Sequence, residues 1–77
     1  MDSPNLIRRI ADSGSAMRKS EAKVASYVLQ HANDVIKMRI VDLAANSDVS
    51  EPTVIRFCRA IGFDGFLSFK LQLAQQL

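Results

Sequence analysis

The sequence predicts an all-α fold, a compact bundle of about five helices joined by short turns and containing a helix-turn-helix of the homeodomain-like kind. Apolar residues recur at helical spacing from Leu6 to Leu77. No stretch alternates strictly between apolar and polar residues, and no hairpin dipeptide lies between β-branched runs. Hydrophobic residues make up 48% of the chain and aromatics only 6%, so the core is built mainly from aliphatic side chains.

Ser3 is placed to cap a first helix with Pro4 at its first position, and Leu6, Ile7, Ile10 and Ala11 give that helix one apolar face, stopped by Ser13, Gly14 and Ser15. A second helix is expected from Lys19 to Ala32, with Val24, Ala25, Val28, Leu29 and Ala32 opposite Lys19, Lys23, Ser26 and Gln30. Asn33 and Asp34 interrupt it, and Val35 to Met38 has room for one further turn. Ile40 to Asn46 is a short third helix with Ile40, Leu43 and Ala44 inward, ended by the turn formers Asn46, Ser47 and Asp48. Ser50 caps a fourth helix, Glu51 to Ile61, whose Pro52 sits in the first turn and whose Val54, Phe57, Cys58 and Ile61 form one apolar stripe. Gly62 is a left-handed stop. Asp64 is placed to cap a fifth helix whose Phe66, Leu67, Phe69, Leu71, Leu73, Ala74 and Leu77 cover too wide an arc for one contact, so part of it is expected to meet another subunit or domain.

Residues 1–77 make one small domain of modest stability. One cysteine excludes an internal disulfide, and one cysteine with one histidine cannot supply the four ligands of a structural zinc site. The N-terminus has no apolar run of signal-peptide length, and about 18 consecutive apolar residues occur nowhere, so a soluble, cytoplasmic chain with no membrane partner is expected. The net charge is only +2, so bulk charge does not establish nucleic-acid binding; the case rests on where the cations sit.

They sit on a helix pair. Between Ile40 and Ile61 the sequence IVDLAANSDVSEPTVIRFCRAI sets a small residue, Ala44, where two helices approach, Val49 between them from the turn, and Val54 and Phe57 as anchors of the second helix. Counted from Val54, Arg56 lies at about 200°, Arg59 at about 140° and Pro52 at about 160°, all away from the apolar stripe, with Thr53 and Ile55 flanking them. Such a face suits the major groove: arginine to the acceptor edge of guanine, threonine to either base type, isoleucine to a thymine methyl. Glu51 either accepts from a cytosine amino group or repels wrong placements. Ser50 and Thr53, at the N-terminus of the helix, are within reach of phosphate. A charged pair taken alone is more often a solvated face; its position on the second helix of a tight pair shifts the balance.

The run VSEPTVIRFCRAIGFDGFLSFKLQLAQQL, with SEAKVASYVL upstream, resembles the N-terminal domain of RpiR-type transcription regulators, and the Glu-Pro after Ser50 is similar to the HexR-like subgroup. That resemblance implies a sequence-specific DNA-binding domain of a bacterial regulator of carbohydrate-metabolism genes. It also implies a homodimer in the full-length form on double-stranded operator DNA, associated with the nucleoid when bound. A phosphorylated sugar effector would be held by a C-terminal sugar-isomerase-like domain that residues 1–77 do not contain. Two residues depart from the usual pattern: Asp48 stands where glycine is common, and Arg39 stands where Ser or Thr caps the first helix of the pair, so that cap is lost or supplied by another group, or Arg39 reaches a phosphate.

Among the remaining cations, Arg18, Lys19 and Lys23 either contact the DNA backbone or form a solvated face. Lys70, near Gly65 and Ser68, either approaches phosphate or snorkels at the edge of the apolar arc. Cys58 falls inside the core stripe and reads as a buried hydrophobe; His31 has no triad or ligand partners. Nothing assembles a nucleophile, base and oxyanion donor, so no catalytic residue, cofactor or metal is expected. The rival readings are a helical protein-interaction or dimerisation module, carried by the apolar surplus of the last helix, and a small effector-binding or enzymatic domain, which would require a polar pocket.

Overall fold

A computed structural model of the chain describes residues 5–77, which form five α-helices and one 3-10 turn. The expected all-α class is what it shows. Helix α1 spans Leu6–Ser13. Ser3 and Pro4 lie outside the described residues; the cap is Asn5, whose Oδ1 accepts from the N–H groups of Ile7 at 2.9 Å and Arg8 at 3.4 Å. Leu6 and Ile10 are buried, while Ala11, expected on the same face, is exposed.

After the 3-10 turn Gly14–Ala16, helix α2 runs Lys19–Val35, past the expected end at Ala32. Asn33 and Asp34 do not stop it; the backbone instead departs from helical geometry at His31, φ −134° and ψ 35°. Val35, wholly buried, anchors the last turn, and burial of one valine outweighs the weak helix propensity of the Asn-Asp pair before it. Lys37 and Met38 then donate to Asp34 and Val35 at 3.0 Å each, the extra turn that the sequence allows. Val24, Ala25 and Val28 face the core, but Leu29 is 38% exposed.

Helices α3, Ile40–Ser47, and α4, Glu51–Ala60, follow with a three-residue turn between them, and α5 spans Phe66–Gln76. The cap of α5 is Gly65, not Asp64, and no side chain caps it. Helix α2 is central, packed on α1, α3, α4 and α5, while α1 also lies on α5. The backbone N–H of Leu6 donates to Gln76 Oε1 at 2.9 Å, tying the two ends of the described chain together. Phe57 and Phe69 meet edge to face at 5.4 Å, and Phe63 meets Phe69 at 5.9 Å.

Candidate nucleic-acid interface

The angle between α3 and α4 is fixed by a turn that leaves few backbone groups unpaired. Asp48 adopts φ 60°, ψ 47°, the left-handed conformation for which glycine is usual. That geometry lets the N–H of Val49 reach Ala44 O at 3.0 Å and that of Asp48 reach Ala45 O at 3.2 Å, a Schellman closure of α3. Val49 packs against the core from the turn, and Ala44, buried, admits the neighbouring helix. Ser50 opens α4: its Oγ accepts from the Thr53 N–H at 3.4 Å, and Pro52 occupies the first turn.

The far end of α4 closes the same way. Gly62, at φ 99°, lets Phe63 donate to Cys58 O and Gly62 to Arg59 O, both at 3.0 Å. Arg9, from α1, donates to the Ile61 carbonyl and lies 5.9 Å from the centre of the Phe63 ring. A Cβ on residue 62 would stand 3.0 Å from its Nη2, so glycine also makes room for this strap. No local pattern in the sequence reveals Arg9, because its partner lies 52 residues away.

Val54, Phe57, Cys58 and Ile61 are buried as the stripe predicts, leaving Ser50, Glu51, Pro52, Arg56 and Arg59 exposed and Ile55 half-buried. Arg59 donates from Nε to Asp64 O at 3.4 Å. Thr53 is a correction: it is 4% exposed and does not offer its hydroxyl outward. Its place on the helix is only about 40° from Phe57, at the edge of the stripe and not opposite it.

Arg56 is exposed, as its position predicts, but its side chain is also tied back towards α2. Its Nη2 donates to Thr53 Oγ1 at 2.9 Å, and its Nε lies 3.6 Å from Glu21 Oε2 on α2. Thr53 Oγ1 in turn stands 3.0 Å from Ser50 Oγ. The Glu21 side chain is 9% exposed and that of Arg56 48%, so the pair spans the rim of the core. Sequence reasoning did not single out Glu21. The overlooked signal is its register, at the spacing of Val24, Ala25 and Val28, which puts a carboxylate on the buried stripe of α2.

Arg39 is 79% exposed at the side chain and precedes α3. It has no acceptor atom with which to cap, so the cap is one-sided: Asp42 Oδ2 accepts from the Arg39 backbone N–H at 3.0 Å and from Nε at 3.5 Å. The Arg39 backbone N–H chiefly holds the Asp42 carboxyl below its usual pKa, with partial burial opposing and the Arg39 guanidinium assisting. Lys70 Nζ donates to Met38 O at 2.8 Å and lies 5.2 Å from the Phe66 ring, snorkelling to the chain just ahead of α3. Lys19 is exposed at the start of α2, and Lys23 stands 3.8 Å from Asp48. Burial pushes the Cys58 thiol up to about 12. Among the described residues no group of three or more His, Cys, Asp or Glu side chains could hold a metal ion, and no helix is long and apolar enough to cross a membrane.

Two short helices held across a tight turn, the second buried on one face and polar on the other, make this a helix-turn-helix DNA-binding domain. Residues 4–77 match the family described as the helix-turn-helix domain of the rpiR family, and the chain belongs to that family. It is 42% identical over 73 residues to the HTH-type transcriptional regulator HexR of Pseudomonas aeruginosa, covering 95% of this chain and 26% of that protein. It is 44% identical over 72 residues to the bifunctional protein glk of Paraburkholderia xenovorans, covering 94% of this chain and 11% of that one. The chain thus spans a small part of the curated relatives it matches. Among solved structures, the Vibrio vulnificus NanR protein complexed with ManNAc-6P superposes with a TM-score of 0.92 at 40% identity, over 95% of this chain and 28% of NanR. The N-terminal domain of ybbH from Bacillus subtilis superposes with a TM-score of 0.86 at 28% identity, over 94% of this chain and 88% of that domain.

Proposed function

We propose that this chain is the DNA-reading, non-catalytic domain of a cytoplasmic bacterial regulator of carbohydrate-metabolism genes, with α4 lying in the major groove of operator DNA. The observation that carries this reading is the α3–turn–α4 unit: Asp48 and Ser50 fix the entry of α4 while Glu51, Pro52, Ile55, Arg56 and Arg59 occupy its face away from the core. Arg59 and Arg56 contact base edges and Ile55 a thymine methyl; Glu51 accepts from cytosine or repels a misplaced duplex. Ser50 at the helix N-terminus, Arg39 ahead of α3, Lys19 on α2 and Lys70 on α5 contact phosphates and set the register. Thr53, buried, acts through Arg56 and not on a base.

NanR, solved in complex with ManNAc-6P, supports the link to sugar metabolism. In the full-length protein such an effector would be bound outside these residues, by a sugar-isomerase-like domain. One module covers only a few base pairs, so the full-length protein binds as a dimer, nucleoid-associated, on half-sites about one helical turn apart. The exposed leucines of α5, Leu67 at 66% and Leu71 at 59%, favour a contact with another protein surface beside DNA reading, not in place of it.

The test is a comparison of wild type and Arg59→Ala on a selected half-site and on a scrambled duplex. The expected result is a loss of about 1–3 kcal/mol on the half-site with little change on the scrambled duplex, if the contact is bidentate. Equal losses on both make Arg59 a phosphate contact, and no loss on either removes it from the interface.

A further inference from the structure

Glu21 and Thr53 are polar residues buried among the described residues, 7% and 4% exposed, and both hold the same guanidinium. Nε and Nη2 of Arg56 belong to one edge of the planar fork, the side-on edge, and these are the nitrogens facing Glu21 Oε2 at 3.6 Å and Thr53 Oγ1 at 2.9 Å. The remaining nitrogen, Nη1, which with Nη2 forms the end-on edge, makes no hydrogen bond among the described residues. The arginine is thus held along one edge by groups from α2 and from its own helix.

We propose that Glu21 is a positioning residue for sequence discrimination: with Thr53 it occupies the side-on edge of Arg56, offsets its charge, and leaves the end-on edge for one bidentate acceptor, the O6/N7 edge of a guanine. This rests on the reading that α4 enters the major groove. A free arginine on a flexible stem binds any phosphate it meets, which raises affinity for every sequence alike. One whose charge is already partnered gains little from a phosphate but keeps a fork pre-organised for a planar pair of acceptors. Glu21 therefore lowers binding to wrong sequences more than to the right one, and specificity is that difference.

The experiment titrates the 77-residue chain as wild type, Glu21→Gln and Arg56→Lys. The ligands are the selected half-site, that site with single base pairs exchanged, and a scrambled duplex, each at two salt concentrations, with circular dichroism to verify folding. Glu21→Gln is expected to bind the scrambled duplex more tightly, with the slope of log K against log salt steeper by about one, as for one added phosphate contact. Its preference for the half-site falls about tenfold. Arg56→Lys keeps the charge but lacks the fork; it is expected to lose preference at a single base pair. A folded Glu21→Gln with wild-type preference and salt slope overturns the proposal, and if that variant does not fold, Arg56→Lys decides it, full retention of preference being the contrary result. Failure of the groove reading shows separately: wild type then prefers no duplex, and the proposal falls with it.

Discussion

At φ 60°, ψ 47°, Asp48 occupies a region where an L side chain costs about 1–2 kcal/mol, less for aspartate than for most residues. Its ion pair with Lys23, 3.8 Å apart with the Asp48 side chain 96% exposed, returns little of that. Asp48→Gly is predicted to stabilise the domain by about 0.5 kcal/mol, strain relief outweighing the entropy of a freer unfolded chain, and to raise Tm by a few degrees. A lower Tm for Asp48→Gly in thermal unfolding would show that the aspartate makes a contact worth more than its strain. Cys58 permits a second test at this scale. With its thiol buried and pushed up to about 12, thiolate is scarce at pH 8, so a thiol reagent is expected to label it only as fast as the domain opens, and at once in denaturant. Residue roles were the least legible part of the sequence. Angular position placed Arg56 opposite the stripe and Thr53 beside it on the outward face, yet Thr53 is buried and the long side chain of exposed Arg56 reaches a buried carboxylate on a neighbouring helix, a tertiary fact that periodicity within α4 does not contain.

The helices were legible wherever apolar spacing and capping chemistry agreed. Helix α4 is the clearest case, with Ser50 at one end, Gly62 at the other and one unbroken stripe between. Where the two signals conflicted, packing prevailed: Val35 carried α2 through Asn33 and Asp34, and α5 began after Gly65 although Asp64 was the better capping residue. Ser50→Ala is predicted to cost about 1 kcal/mol in unfolding free energy, because the Thr53 N–H keeps only the Ser50 carbonyl and Thr53 Oγ1 loses Ser50 Oγ; an unchanged urea midpoint would show that water replaces the hydroxyl. The cap of α3 is sensitive to acid. Since Asp42 has a lowered pKa when folded, its contribution is complete above the unfolded carboxyl value of about 3.9 and is lost as pH falls through the folded value. Asp42→Ala is therefore expected to lower Tm near neutrality, with the wild-type and variant curves converging in the acid range; parallel curves down to that range would mean that the Arg39 bond adds nothing.

At the scale of the molecule, the bundle buries Leu73 wholly and leaves Leu71, on the same helix, 59% exposed. Leu73→Ala should cost about 2–5 kcal/mol in unfolding, and Leu71→Ala about 0.5 kcal/mol or less. If instead Leu71→Ala abolished DNA binding while the fold survived, the outer face of α5 would be part of the functional assembly. The overlong apolar arc of α5 was visible in the sequence, whereas the strap from Arg9 to the end of α4 and the tie from Leu6 to Gln76 were not, because each joins residues far apart in the chain. The first pins the end of α4 to α1, and a rigid helix pair is what a reading head requires. The central claim, that α4 presents a sequence-reading face, is tested most directly by titrating the wild-type chain against a pool of randomised duplexes at two salt concentrations and sequencing what it retains. Enrichment of one recurrent half-site, with salt-sensitive binding, is the result the account predicts. Retention without any recurrent sequence, or no salt-sensitive binding at all, would contradict it.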